Sequence, residues 1–130
     1  MRDGGRLTIL LVEDEPIIAL DRERRLRGYG YGVITAHSGE SAVRIALKEL
    51  SIDAILMDVD LGKGMDGTQA AREILGSRRL PIVFLTSMTE EELRSRGVGL
   101  QGAPWVGKYS DDAMLLNSLD AAIRKRSPRP

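Results

Sequence analysis

Short apolar runs recur along the chain, separated by longer segments whose apolar residues fall at helical spacing. The runs are Leu7–Val12 (LTILLV), Gly32–Ala36 (GVITA), Ala54–Met57 (AILM), Pro81–Leu85 (PIVFL) and the weaker Ala103–Gly107 (APWVG). Such runs, rich in Ile, Val and Leu and without clean alternation, predict strands buried on both faces. Between them, Pro16 suits the first turn of a helix reaching Tyr29, with Gly30 as a left-handed stop. Ser38 caps a second predicted helix, on which Val43, Ala46, Leu47 and Leu50 share a face. A third, opened by Gly67 and ended by Gly76, carries Ala70, Ala71, Ile74 and Leu75. Thr89 and Glu92 form a capping box for a fourth, which stops near Gly97. Ser110 is the expected cap of a fifth, with Leu115, Leu116, Leu119, Ala122 and Ile123 inward and Arg124, Lys125 and Arg126 at its negative dipole end.

Strand and helix alternating in this way predict an α/β fold, a five-stranded parallel sheet with helices on both faces. No internal repeat or linker interrupts residues 1–130, so one domain is expected, with its core about 7–126. Residues 127–130 (SPRP) read as a frayed tail or the start of a linker.

A length of 130 residues is enough for one autonomous core. With 42% apolar residues, and 19 Lys and Arg balancing 19 Asp and Glu, a disordered acidic tail and a domain held to nucleic acid by excess positive charge are both disfavoured. The absence of Cys removes disulfides, thiolate metal sites and a Cys nucleophile. No apolar run approaches the roughly 18 residues of a membrane span. The start, Met1 to Arg6, leads into too short an apolar stretch for a signal peptide, so a cytoplasmic location is expected.

The polar residues that follow the apolar runs carry the chemistry. The first run ends in Glu13 and Asp14, the third in Asp58, the fourth in Thr86 and Ser87, and the fifth in Lys108. In an open parallel sheet the ligand crevice lies outside the carboxyl ends of the strands, where these side chains would converge. Three carboxylates there raise one another's pKa values unless a cation joins them, and hard oxygen ligands with room for water suit Mg²⁺. A lysine supplies a point charge for a phosphoryl group, and a Thr hydroxyl can donate to one of its oxygens. Together they make a site for accepting a phosphoryl group. Taken singly, each residue has a plainer use: Asp14-Glu15-Pro16 as a helix cap, Asp58 as a turn residue, Thr86 and Lys108 as loop residues.

In combination these segments resemble the receiver domain of two-component response regulators, from about Leu7 to Arg126. The resemblance implies a flavodoxin-like (βα)5 fold with strand order 2-1-3-4-5. LLVEDE matches the acidic-pair motif, making Glu13 and Asp14 Mg²⁺ ligands. LMDVDLGKGMDG matches the phosphoacceptor segment, so Asp58 would take phosphate from the phosphohistidine of a histidine kinase or phosphotransfer protein and also touch the metal. Asp60 holds the position whose backbone carbonyl ligates the metal. FLTS gives Thr86 the switch-hydroxyl role, Lys108 the lysine role, and Trp105 the aromatic switch position three residues before the lysine. When Thr86 turns toward the phosphoryl group, the ring of Trp105 would enter the vacated space and alter the surface of helix four, strand five and helix five. The plainer use of Trp105 is as a core aromatic on an edge strand. The implied partners are a sensor histidine kinase or phosphotransfer protein and an output domain or protein. Neither nucleic acid nor membrane contact is expected, and homodimerisation through helices four and five stays open.

The chain departs from the family pattern in two places. The proline usually found about three residues after the acceptor is missing from the loop Gly62-Lys63-Gly64-Met65-Asp66-Gly67, which suggests a looser loop. Tyr109 replaces the proline that commonly follows the lysine, and since a cis bond before Tyr costs about 3 kcal/mol, a trans bond is expected. Both features look like receivers attached to sensor kinases or other signalling modules. Met88, two beyond Thr86, is apolar where an acid or amide could orient a hydrolytic water, so slow autodephosphorylation is expected. His37 reads as a solvated loop residue away from the crevice, and the Arg22–Arg27 cluster, alternating with acids, as a solvated helix face. Two rivals stand beside this reading: a receiver-like scaffold that needs no phosphorylation, and a small aspartyl-phosphate phosphatase suggested by the Asp58-Val-Asp60 spacing.

Overall fold

Strand and helix alternate from end to end: β1 (Thr8–Val12), α1 (Pro16–Gly28), β2 (Gly32–Ala36), α2 (Gly39–Lys48), β3 (Ala54–Asp58), α3 (Gly67–Leu75), β4 (Ile82–Thr86), α4 (Glu90–Ser95), β5 (Trp105–Gly107) and α5 (Asp112–Arg124). The structure, a computed structural model, describes residues 6–100 and 102–125. The tail at 127–130, the start at 1–5 and Arg126 lie outside the described residues. The strands form one parallel sheet in the order β2-β1-β3-β4-β5, as expected. Among the described residues no helix is long and apolar enough to cross a membrane.

Unbroken apolar runs arise because the middle strands are covered on both faces. Leu10 and Val12 of β1, Ile55 and Met57 of β3, and Ile82 and Phe84 of β4 pack with Ala42 and Ala46 of α2 and Ala70, Ala71 and Ile74 of α3. The alternate residues, Ile9, Leu11, Leu56, Val83 and Leu85, face Leu26 of α1 and Leu115 and Leu119 of α5. Every residue of β3 and β4 is buried.

Some expectations shift. β3 and β4 run one residue past their apolar stretches because Asp58 and Thr86 still sit in the ladder, opposite Leu85 and Gly107. β5 starts at Trp105, since Pro104 has no amide to donate, although its carbonyl accepts from Phe84. The buried face of α2 is Ala42 and Ala46, with Val43 at its edge; Leu47 is exposed and Leu50 lies beyond the helix end, also exposed. Leu75 is likewise exposed, and of the five residues expected on the inner face of α5 only Leu115 and Leu119 are buried. Ser110 does not cap α5. Its amide closes a turn onto Gly107, and the Asp111 carboxylate caps the helix by accepting from the Met114 amide. Gly30 does adopt the left-handed conformation, whereas Gly76 ends α3 in an ordinary right-handed one. The caps at Ser38 and at Thr89–Glu92 form as expected.

Candidate functional site

In a parallel sheet all carboxyl ends point to one edge, and the order reverses between β1 and β3. The acidic residues flank that reversal. Ladder hydrogen bonds run just past the strands, from Glu13 N–H to Ala36 C=O (3.0 Å), Val59 N–H to Leu85 C=O (2.9 Å) and Lys108 N–H to Thr86 C=O (2.7 Å). The site residues therefore stand on backbone as rigid as the sheet itself.

Glu13, Asp14 and Asp58 each place a carboxylate oxygen within 4.8 Å of the others. Glu13 and Asp58 are fully buried, while Asp14 is half-buried. Lys108 reaches across from the end of β5, and its Nζ donates to Asp58 Oδ2 at 2.7 Å. The same ammonium lies 3.4 Å from Glu13 Oε1, within ion-pair reach but outside hydrogen-bond geometry. Glu13 Oε1 is thus a buried oxygen without a hydrogen-bond donor. The other oxygen, Oε2, accepts from the Glu15 amide at 3.1 Å. Asp58 Oδ1 accepts from the Asp60 amide at 3.0 Å, a turn that fixes the carboxylate on its own backbone.

One ammonium cannot neutralise three carboxylates. Burial pushes Asp58 above its ordinary carboxylate range; the Lys108 hydrogen bond and the Asp60 amide pull it down, and the charge of Asp14 adds to the rise. Glu13 is raised as well, by burial and by the charge of Asp58, against the Glu15 amide and Lys108. Burial works against a charged Lys108, but the hydrogen bond to Asp58 and the two negative charges outweigh it, and its pKa is raised. The group is left with excess negative charge and an oxygen that no protein donor serves. Hard, close-set oxygens of this kind fit a divalent cation such as Mg²⁺, to which Glu13, Asp14 and Asp58 could each contribute an oxygen.

The remaining expected residues lie nearby in different ways. Thr86 is buried at the end of β4, and its Oγ1 accepts from the Met88 amide at 3.0 Å, leaving the hydroxyl proton for another acceptor. Asp60 is exposed, beside the acceptor carboxylate rather than in the core of the site. Trp105 is 37% exposed on the edge strand, opposite Phe84 in the ladder. Trp105 is therefore not a buried core aromatic, whereas Val106, on the opposite face of the same edge strand, is buried against α5. The Lys108–Tyr109 bond is trans. Asp14 and Glu15 do not cap α1: Glu15 occupies the cap position without a side-chain cap bond, since the acidic pair is turned to the crevice.

Three contacts escape sequence reasoning. His37, expected to be a solvated residue away from the crevice, has Nδ1 3.0 Å from the Glu13 carbonyl oxygen, since the end of β2 lies beside that of β1. Arg22, expected on a solvated face, is half-buried and directs Nη2 toward the Lys108 carbonyl at 3.4 Å. Glu40 accepts from the Met65 amide, so the glycine-bearing loop is tethered rather than loose. A polar residue just after a strand, for His37, or in a first helical turn, for Glu40, was the only available signal, and Arg22 in the middle of α1 had none.

A family model for the response regulator receiver domain matches residues 9–120. The chain belongs to that family. Among curated relatives, the phyllosphere-induced regulator PhyR of Methylorubrum extorquens is 37% identical over 86 residues, 65% of this chain and 32% of that protein. The transcriptional regulatory protein PdtaR of Mycobacterium tuberculosis is 32% identical over 119 residues, 90% of this chain and 57% of that protein. The chain thus spans between about a third and somewhat over half the length of these relatives. A response regulator receiver protein from Sinorhizobium medicae superposes with a TM-score of 0.81 at 28% identity, over 96% of this chain and all of the other. The receiver domain of the sensor histidine kinase PA1611 from Pseudomonas aeruginosa gives a TM-score of 0.80 at 35% identity, over 93% of this chain and all of the other. That domain has a magnesium ion coordinated in its active site cleft. As a receiver domain, this chain is of the kind used in two-component signalling, and the curated relatives named above are regulators.

Proposed function

We propose that Asp58 accepts a phosphoryl group from a phosphohistidine and that the resulting charge switches the surface formed by α4, β5 and α5. The observation that carries this reading is Lys108 Nζ, held 2.7 Å from Asp58 Oδ2 beside a cluster of carboxylates that it cannot neutralise. In the transfer, a carboxylate oxygen of Asp58 forms a bond to phosphorus as the bond from phosphorus to the donor's imidazole nitrogen breaks. The electron pair leaves with the imidazole. The Asp60 amide on Oδ1 holds the carboxylate in place for that attack. Lys108 is charged throughout and moves its hydrogen bond from Asp58 to a phosphoryl oxygen, where the new negative charge attracts it. Glu13, Asp14, Asp58 and the carbonyl of Asp60 are the groups that would hold Mg²⁺; the similar PA1611 domain has a magnesium ion coordinated in its active site cleft. The bound ion would neutralise charge on the phosphoryl oxygens.

Thr86 then donates its free hydroxyl proton to the phosphoryl group, and Trp105, two ladder positions before Gly107, follows as the aromatic element of the switch. The phosphate leaves slowly because Met88 cannot orient a water, so the domain catalyses its own modification and has no separate turnover substrate. The chain works as one receiver module in the cytoplasm, facing a histidine kinase or phosphotransfer protein on one side and an output partner on the other.

Labelling by acetyl phosphate with Mg²⁺ is the direct test. Incorporation is expected in the native chain and absent in Asp58→Asn; label retained in that variant would overturn the assignment. Fluorescence of Trp105, the single tryptophan, should respond to a phosphoryl mimic with Mg²⁺, and a silent signal removes Trp105 from the switch. Met88→Glu should shorten the lifetime of the phosphate.

A further inference from the structure

The loop between β3 and α3 connects the acidic site to a residue well outside it. Met65 N–H donates to Glu40 Oε2 at 3.0 Å, joining the last part of this loop, just before the helix cap Asp66, to the first turn of α2. Two glycines bracket Lys63 within the loop, Gly62 with φ +70° and Gly64 with φ +83°, conformations that a side chain would strain. Each leaves its open side to a carboxylate. A Cβ on Gly64 would lie 2.9 Å from Glu40 Oε2, and a Cβ on Gly62 would lie 2.9 Å from Asp14 Oδ2. Glu40 and Asp14 thus lean on the same short turn at successive left-handed glycines, one anchoring it and the other using the clearance it leaves. The same end of the loop is fixed by the helix cap as well. Asp66 caps α3 by accepting from the Gln69 amide, and Gly67 N–H closes onto the Val59 carbonyl. Between Val59 and Asp66, Leu61 is buried in the core and Met65 packs against Gly39 of α2, and the Glu40 contact adds a hydrogen bond from the loop to that helix.

We infer that Glu40 is a positioning residue for the cation site: by holding the Met65 amide it keeps the Gly62–Gly64 turn where Asp14 can share an ion with Glu13 and Asp58. Glu40 touches neither the ion nor the acceptor and acts only through the loop. This rests on the cation site proposed above, and the experiment separates the two.

Mg²⁺ affinity by calorimetry, with thermal melting in EDTA, is to be measured on the intact chain and on Glu40→Ala, Glu40→Gln and Asp14→Asn. Glu40→Ala should weaken Mg²⁺ roughly tenfold, within the range that supporting hydrogen bonds carry around metal sites. Glu40→Gln keeps an acceptor oxygen for Met65 and should stay within about twofold of the native chain, since an intact tether leaves the supported ligand in place. In an Asp14→Asn background, Glu40→Ala should add nothing. A Glu40→Ala chain that melts earlier but binds Mg²⁺ like the native protein overturns the inference. If the native chain and Asp14→Asn bind Mg²⁺ equally, the cation site itself falls, and the inference with it. Should Glu40→Ala fail to fold, Gly62→Ala decides: its methyl would displace the Asp14 carboxylate, and unchanged affinity overturns the inference.

Discussion

β3 begins after one buried aspartate and ends in another. Asp53, at the entry, and Asp58, at the exit, are both fully shielded from solvent, yet their surroundings differ. At the entry, Asp53 Oδ2 accepts from the Thr8 amide at 2.8 Å, and the Asp53 amide donates to the Thr8 carbonyl at 2.8 Å. Close by, Arg78 spreads its guanidinium over the carbonyls of Ala46, Glu49, Leu50 and Ile52, gathering the end of α2 and the approach to β3. At the exit, Asp58 shares one lysine with Glu13, faces Asp14, and leaves a glutamate oxygen without a donor. Donors match acceptors at the entry of the strand, and charge is left over at its exit. A buried carboxylate therefore says little about role until its partners are known, because burial is tolerated wherever hydrogen bonds and counter-charge meet it.

The largest effect should separate the two ends outright. Asp58→Asn should abolish acetyl phosphate labelling, whereas Asp53→Ala should leave labelling per folded molecule within about threefold, since it touches no group of the acceptor site. Equal losses in both would dissolve the contrast. Next in size, Asp14→Asn should weaken Mg²⁺ by roughly ten- to a hundredfold, on the scale of lost support at metal sites. Calorimetry would show it, and an unchanged Kd would remove Asp14 from the ligand set.

Stability should move in opposite directions at the two ends. Asp53→Ala strands the Thr8 amide, and Arg78→Met frees several carbonyls, each at a cost of about 2–3 kcal/mol in chemical denaturation. Asp58→Asn removes a charge that burial disfavours, so without divalent cation its melting temperature should rise by several degrees, the size that about 1 kcal/mol gives in a domain of this length. A lower melting point in EDTA would contradict the raised pKa of Asp58.

The smallest effect is in pH. Asp58 and Glu13 have folded pKa values above their unfolded ones, so the folded state holds their protons more tightly. Without cation, their contribution is most favourable at low pH and is lost as pH rises through that raised range. Lys108 works at the other end: its contribution is present below its unfolded pKa and lost as pH climbs through its folded value. Protons also compete with Mg²⁺ for the carboxylates. Its affinity should therefore fall with acidification over a range above that of ordinary aspartate, and a pH-independent Kd would count against the carboxylate site.

The alternation of apolar runs and helical segments determined the layered α/β fold, because strands buried on both faces cannot carry polar residues except at their ends. That same constraint made Glu13, Asp14, Asp58, Thr86 and Lys108 legible: each follows a run on a line of sequence that otherwise excludes charge. Caps were read well where side-chain chemistry decided them, at Ser38 and Thr89, and poorly at Ser110, where a turn onto Gly107 took the expected cap away; the Asp66 cap of α3 came from the structure alone. The fraction of each helix that is buried, the exposure of Trp105 and the contacts of His37, Arg22, Arg78 and Glu40 could be settled only by tertiary structure. Long polar side chains reach several ångströms and choose among backbone groups that residues far apart in sequence bring near. A linear pattern encodes which positions shun water. It does not encode which distant carbonyl or amide will stand at the end of a guanidinium or a carboxylate.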